Sequence, residues 1–116
     1  MFKLDQSDSY WYPVQVEMTD AAGRRTRFSF EAQFERLPQS DINEIFRVRG
    51  EDEPPLKDSE VLDRVLRGWR GVQDAEGREL EVTPENRAML LEIFPVPASI
   101  IRAFLKSIGW EGKAKN

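Results

Sequence analysis

From Tyr10 the chain alternates. Tyr10, Tyr12, Val14, Val16 and Met18 share one side of an extended segment, and Trp11, Pro13, Gln15, Glu17 and Thr19 share the other. A period of two marks a half-buried strand. Pro13 cannot donate a ladder hydrogen bond, so the strand is expected at a sheet edge or with an unpaired start. Asp20-Ala21-Ala22-Gly23 supplies type I turn chemistry, Asp opening and Gly closing. The alternation then resumes with Phe28, Phe30, Ala32 and Phe34 against Arg25, Arg27, Ser29, Glu31, Gln33 and Glu35. The two segments read as an antiparallel hairpin with one apolar and one polar face, packed on helices.

Beyond Leu37-Pro38-Gln39 the period changes to that of a helix. Ser40 or Asp41 is positioned to cap a short helix to about Arg47, and Asp41 with Glu44 forms a capping-box pattern. Its inner stripe is Ile42, Ile45 and Phe46, and the run Gly50 to Pro55 reads as a mobile loop. A second helix is predicted from Asp58, with Val61, Leu62, Val65, Leu66 and Trp69 on one face and Gly68 and Gly71 at its end. Asp74-Ala75-Glu76-Gly77 repeats the earlier turn, so Arg70–Gln73 and Arg78–Val82 read as a second, small hairpin.

Thr83-Pro84-Glu85 combines a capping hydroxyl, a proline at the first helical position and an acid at the positive dipole end. The helix it opens carries Met89, Leu90, Ile93 and Phe94. Pro97 opens a last helix whose inner face is Ile100, Ile101, Phe104, Leu105 and Ile108. Gly109 is expected as a left-handed cap with Trp110 folded back on Leu105. The order ββ-α-α-ββ-α-α predicts an α+β fold, a small antiparallel sheet with hairpins packed against about four helices. At 116 residues the chain is one domain, with a loose lead-in over 1–9 and a frayed tail over 110–116 that ends in Lys113-Ala114-Lys115-Asn116.

Composition narrows the chemistry. There is no cysteine, which removes disulfides and thiolate metal sites, and no histidine, the residue most used for proton transfer and metal binding. The acids fall in runs such as Glu51-Asp52-Glu53 or on outer helix faces, and no serine has a partner base or a surrounding motif. No glycine pattern matches a phosphate-binding loop. The expectation is a protein with no catalytic residues, no metal and no cofactor. A net charge of −4 lacks the positive field that nucleic acid attracts. Met1 to Tyr12 lacks the pattern of a signal peptide, and no apolar run is long enough to span a bilayer. The expected setting is the cytoplasm, with neither nucleic acid nor membrane as partner. Arg24, Arg25 and Arg27 cluster at the hairpin tip, either as a charged tip that discourages aggregation or as a grip on an acidic protein or, second to that, on nucleic acid through phosphate contacts. Three Trp and seven Phe are generous for this length. Two readings of that surplus stand: all of it is core, or part of the last helix and the first hairpin is open to a partner.

Three strings, in order, resemble the tail assembly chaperones of long-tailed bacteriophages and prophages. They are Phe28-Ser29-Phe30-Glu31-Ala32-Gln33-Phe34-Glu35-Arg36-Leu37; Gly68-Trp69-Arg70-Gly71-Val72-Gln73-Asp74-Ala75-Glu76-Gly77 followed by Thr83-Pro84-Glu85-Asn86-Arg87-Ala88-Met89-Leu90-Leu91-Glu92-Ile93; and the closing helix Ala98 to Ile108 with Lys115-Asn116. The Glu51 to Pro55 loop and the Pro95-Val96-Pro97 link depart from the family pattern, the latter bearing on the docking angle of the last helix. The resemblance implies a non-enzymatic chaperone that binds the helical tape measure protein, keeps it soluble, and promotes tail-tube assembly around it. It further implies contacts with tail-tube protein, self-association, and absence from the mature virion. A small virion part, such as a head–tail connector or tail-terminator subunit, is the alternative. The expected contact residues are Ile100, Ile101, Phe104 and Leu105, with Trp69 and Trp110 nearby.

Overall fold

A computed structural model describes residues 1–110. The elements are β1 (Ser9–Thr19), β2 (Arg25–Glu35), α1 (Gln39–Phe46), α2 (Asp58–Val65), β3 (Leu66–Arg70), α3 (Pro84–Leu91) and α4 (Val96–Ser107). The three strands form one antiparallel sheet in the order β1-β2-β3. The fold is α+β, as the patterning predicts. The basic tail at Lys113–Asn116 lies outside the described residues.

The hairpin is paired along its whole length, from Ser9↔Glu35 to Thr19↔Arg25. The backbone bonds Arg36 N–H to Asp8 C=O and Asp20 N–H to Arg24 C=O flank this register. Antiparallel pairs alternate between bonded and non-bonded, so the even-numbered residues of β1 bond to β2 and the odd-numbered ones point their N–H and C=O outward. Pro13 is therefore an edge residue whose missing N–H costs no ladder bond, as its presence in the strand requires. The lead-in is tied down to Ser7, whose carbonyl and hydroxyl accept from the Arg36 guanidinium.

The second expected helix is shorter than its apolar stripe. It stops at Val65, and Leu66–Arg70 continues directly as β3 along the free side of β2. Ala32 faces Trp69 and Phe34 faces Leu66, with a register shift between Gln33 and Phe34. The extra residue is Arg67, which lets two residues three apart, Leu66 and Trp69, both face the core. A bulged strand thus imitated a helical spacing. Two further features hold the junction. The Arg87 guanidinium, from α3, donates to the carbonyls of Leu62 and Leu66 at 3.0 and 2.9 Å. Gly68 is buried beneath Val82, whose methyl would lie 3.4 Å from any added Cβ.

After β3, the expected second hairpin reduces to its turn and a single bridge, Gln73↔Glu79. Asp74 accepts from the amides of Glu76 and Arg78, repeating the bonds Asp20 makes to Ala22 and Arg24. The chain then leaves the sheet because Trp69 donates its indole N–H to Leu80 C=O, holding the return segment over β3's side chain instead of beside its backbone. Thr83 caps α3 through Asn86 N–H, with Pro84 in the first turn. In α1 the expected side-chain cap is absent: Pro38 is the cap residue, and the Asp41 carboxylate pairs with Arg64 of α2 at 3.3 Å. Gly109 adopts φ +82°, which a Cβ would strain, and Trp110 N–H bonds back to Leu105 C=O, completing the expected cap of α4.

The core lies between the inner sheet face and α2 and α4: Val14, Val16, Ala32, Phe34, Leu62, Val65, Trp69, Ile100 and Phe104 are all buried. Phe34 meets Phe104 edge-on at 5.4 Å and Tyr10 at 6.1 Å, and the Tyr10 hydroxyl hydrogen-bonds Ser107 Oγ at 2.6 Å. Eleven-residue strands extend about 37 Å, whereas a twelve-residue helix covers about 18 Å. The hairpin therefore outruns α4, and Phe28 on its inner face is 49% exposed. Among the described residues no single helix is long and apolar enough to cross a membrane; α3 and α4 are bent by 97° at their junction.

Candidate protein-interaction surfaces

Of the expected contact residues, Ile100, Phe104 and Trp69 are closed off. They are 0%, 1% and 3% exposed and fill the space between α4, α2 and the sheet. Ile101 and Leu105 are half-buried against the same core. Trp110 is exposed and stacks on Phe46 of α1, with ring centroids 5.3 Å apart. The inner face of α4 is thus core. It is closed because β1 and α2 both pack on it, and a sequence stripe does not reveal its own cover.

The open apolar surface lies on α3 and the corner after it. Met89, Ile93 and Phe94 are exposed, Phe94 to 87%, and only Leu90 of this stretch is buried. Met89 lies in the last turn of α3, and Ile93 and Phe94 lie in the turn that follows its end at Leu91. Glu85 and Glu92 flank them in the same windings and are exposed. Arg87, the one cation of the helix, is turned inward to the α2–β3 carbonyls. The patch is therefore apolar with an acidic border. In the sequence Met89, Ile93 and Phe94 read as one helix stripe with Leu90; the helix instead ends at Leu91, which carries Ile93 and Phe94 out of that stripe.

Among the described residues no helix covers the outer sheet face. Arg70 on β3 places its guanidinium 4.0 Å from the Trp11 ring centre and bonds Glu31 at 2.6 Å, linking all three strands. At the hairpin end the Arg27–Glu17 pair spans β1 and β2 at 3.0 Å, and Arg25 reaches Thr19 Oγ1 and Glu17 C=O. The arginine cluster at the tip is in this respect partly self-engaged. Such exposed pairs fix side-chain positions more than they stabilise.

Two carboxyls are held below their ordinary range. Hydrogen bonds from the Arg24 amide foremost, then the Thr26 hydroxyl, lower Asp20. Glu53 is lowered to about 2, first by the Arg47 guanidinium, which grips it with two nitrogens, and next by Gly50 N–H. The Gly50–Glu53 segment, expected as a mobile loop, is in this way closed into a clasped turn. Glu53 shares the Arg47 guanidinium with the Glu44 carboxylate. Among the described residues no group of three or more Asp or Glu could hold a metal ion. No protein family, characterised protein or solved structure matches the chain.

Proposed function

We infer that this chain is a non-catalytic phage or prophage tail assembly chaperone, which holds the helical tape measure protein in soluble form while tail-tube subunits assemble around it. The observation that carries this reading is the acid-bordered apolar patch of Met89, Ile93 and Phe94. An exposed apolar patch with Glu85 and Glu92 beside it in the chain suits a partner helix whose own apolar stripe is edged by Lys or Arg. The patch is small, so each contact is weak, and weak repeated contacts on a long helical partner can be exchanged for tube subunits. The contact surface is moved from the inner face of α4, where the sequence pattern placed it, to the outer side of α3. The protein acts in the bacterial cytoplasm and is left out of the finished particle.

Co-expression with the tape measure protein tests this. The native chain should carry it into the soluble fraction and co-purify with it. A Met89→Asp/Phe94→Asp double variant should fold normally by circular dichroism and lose the partner. If the partner stays insoluble with the native chain, the chaperone role is wrong. If the double variant still captures it, the patch is not the contact surface. Recovery of the chain in purified particles would instead assign it to the virion.

A further inference from the structure

The edge of β1 is the second unoccupied surface, and it is of a different kind. Its odd-numbered residues aim backbone groups away from the sheet, and among the described residues the N–H groups of Trp11, Gln15 and Glu17 have no partner. Glu17 C=O is covered by the Arg25 guanidinium; the carbonyls of Trp11, Pro13 and Gln15 are not. Beside this edge runs a groove of about 580 Å³, walled on the far side by α4 and ending at Phe94 and Pro95. The α4 wall presents Arg102 and Lys106, one turn apart and exposed, and neither meets a carboxylate among the described residues. Among the described residues the only carboxylate lining the groove is Glu17, and it is engaged by Arg27.

We propose that this groove binds an extended acidic peptide segment of a partner protein, which joins the sheet as a fourth strand along β1. An extended chain is required because unpaired strand amides and carbonyls need backbone partners, which a helix has already used internally. Trp11 and Gln15 would each exchange two bonds with it, and Pro13 would accept one. Side chains of the added strand alternate, so one set faces Arg102 and Lys106 of α4 and the other lies beside the ring of Pro13. Acidic residues in the first set meet two uncompensated cations. A second copy of this chain is disfavoured as the occupant, since pairing β1 with β1 would bring two sets of Arg25, Arg102 and Lys106 together. Proline at the centre of the edge limits the added strand to a short one and blocks indefinite edge-to-edge growth. This surface shares only Phe94 with the α3 patch and does not depend on the chaperone reading.

The probe is a blocked octapeptide alternating glutamate and valine, titrated into the native chain, with the lysine–valine peptide as its counterpart. The acidic peptide should bind, weaken with added salt, and slow hydrogen exchange at the Trp11 and Gln15 amides; the basic peptide should not bind. An Arg102→Glu/Lys106→Glu variant, both positions being exposed, should fold unchanged and weaken the acidic peptide on the order of tenfold. Equal binding of both peptides, unchanged affinity in the variant, or binding without protection at Gln15 would each overturn the proposal. Protection at Gln15 that rises with protein concentration and no peptide would assign the edge to a second copy and overturn it too. Because the variant leaves Met89, Ile93 and Phe94 intact, its failure or success is separable from tape measure capture.

Discussion

Replacing Phe104 with alanine separates the two roles that the sequence pattern left joined in one helix. The ring is 1% exposed, stands edge-on to Phe34, and sits one turn before Ser107, whose hydroxyl bonds Tyr10. Truncating a ring so enclosed leaves a cavity between α4 and the hairpin, and costs about 3–5 kcal/mol. For 116 residues the entropy of unfolding is roughly 240 cal/mol/K, so a loss of about 4 kcal/mol lowers Tm by roughly 16 °C. Phe94→Ala is the matched control. That ring is 87% exposed, and its removal should change stability by no more than about 0.5 kcal/mol, or roughly 2 °C. Thermal unfolding followed by far-ultraviolet circular dichroism, with urea midpoints for both variants, reads the difference directly. Equal, small shifts in the two variants would refute this account of the core and restore the α4 face as an open surface.

Two further outcomes follow from single contacts. Glu53 titrates at about 2 in the folded chain against 4.5 for a free glutamate, so its clasp contributes fully above pH 4.5 and is lost as pH falls from there through about 2. A carboxyl-carbon NMR titration should place its midpoint near 2, and Arg47→Ala should return it toward 4.5; a native midpoint near 4.5 would refute the clasp. Arg87→Ala removes two charge-assisted bonds to the Leu62 and Leu66 carbonyls and should cost about 2 kcal/mol by urea unfolding, with Arg87→Lys recovering only part because it lacks the fork. Full recovery by lysine would show that charge, not the two-pronged geometry, holds the α2–β3 junction.

The hairpin was legible because its cause is local. Alternation over eleven residues, a turn with Asp and Gly in place, and a proline at an odd position fix strand, register and edge without reference to the rest of the chain. The Thr83-Pro84 start and the Gly109 cap were legible for the same reason. The α2–β3 boundary was not. Leu66 and Trp69 sit three apart, a helical spacing, and only the vacant side of β2 and a bulge at Arg67 turn that spacing into a strand. Asp41 offered a cap and instead went to Arg64, a partner twenty-three positions away that no local rule identifies. Of the six expected contact residues only Trp110 is exposed, since burial depends on what packs opposite.

What packs opposite is decided in this chain at one corner. Two consecutive apolar helices, Pro84–Leu91 and Val96–Ser107, are joined by four residues, and either could cover the sheet. A nearly collinear pair would lay both stripes on the same layer. The bend of 97° prevents that. It lays α4 along β1, where Ile100 and Phe104 enter the core, and it turns α3 away so that Leu90 alone is buried and Met89 and Ile93 face outward. Arg87 reinforces the choice, since its grip on the carbonyls between α2 and β3 fixes which side of α3 faces inward. The Pro95-Val96-Pro97 link that departs from the tail-chaperone pattern is therefore the segment that separates core from surface. The same bend sets Phe94 at the end of the β1–α4 groove. One corner thus both exposes the apolar patch and borders the open edge of β1.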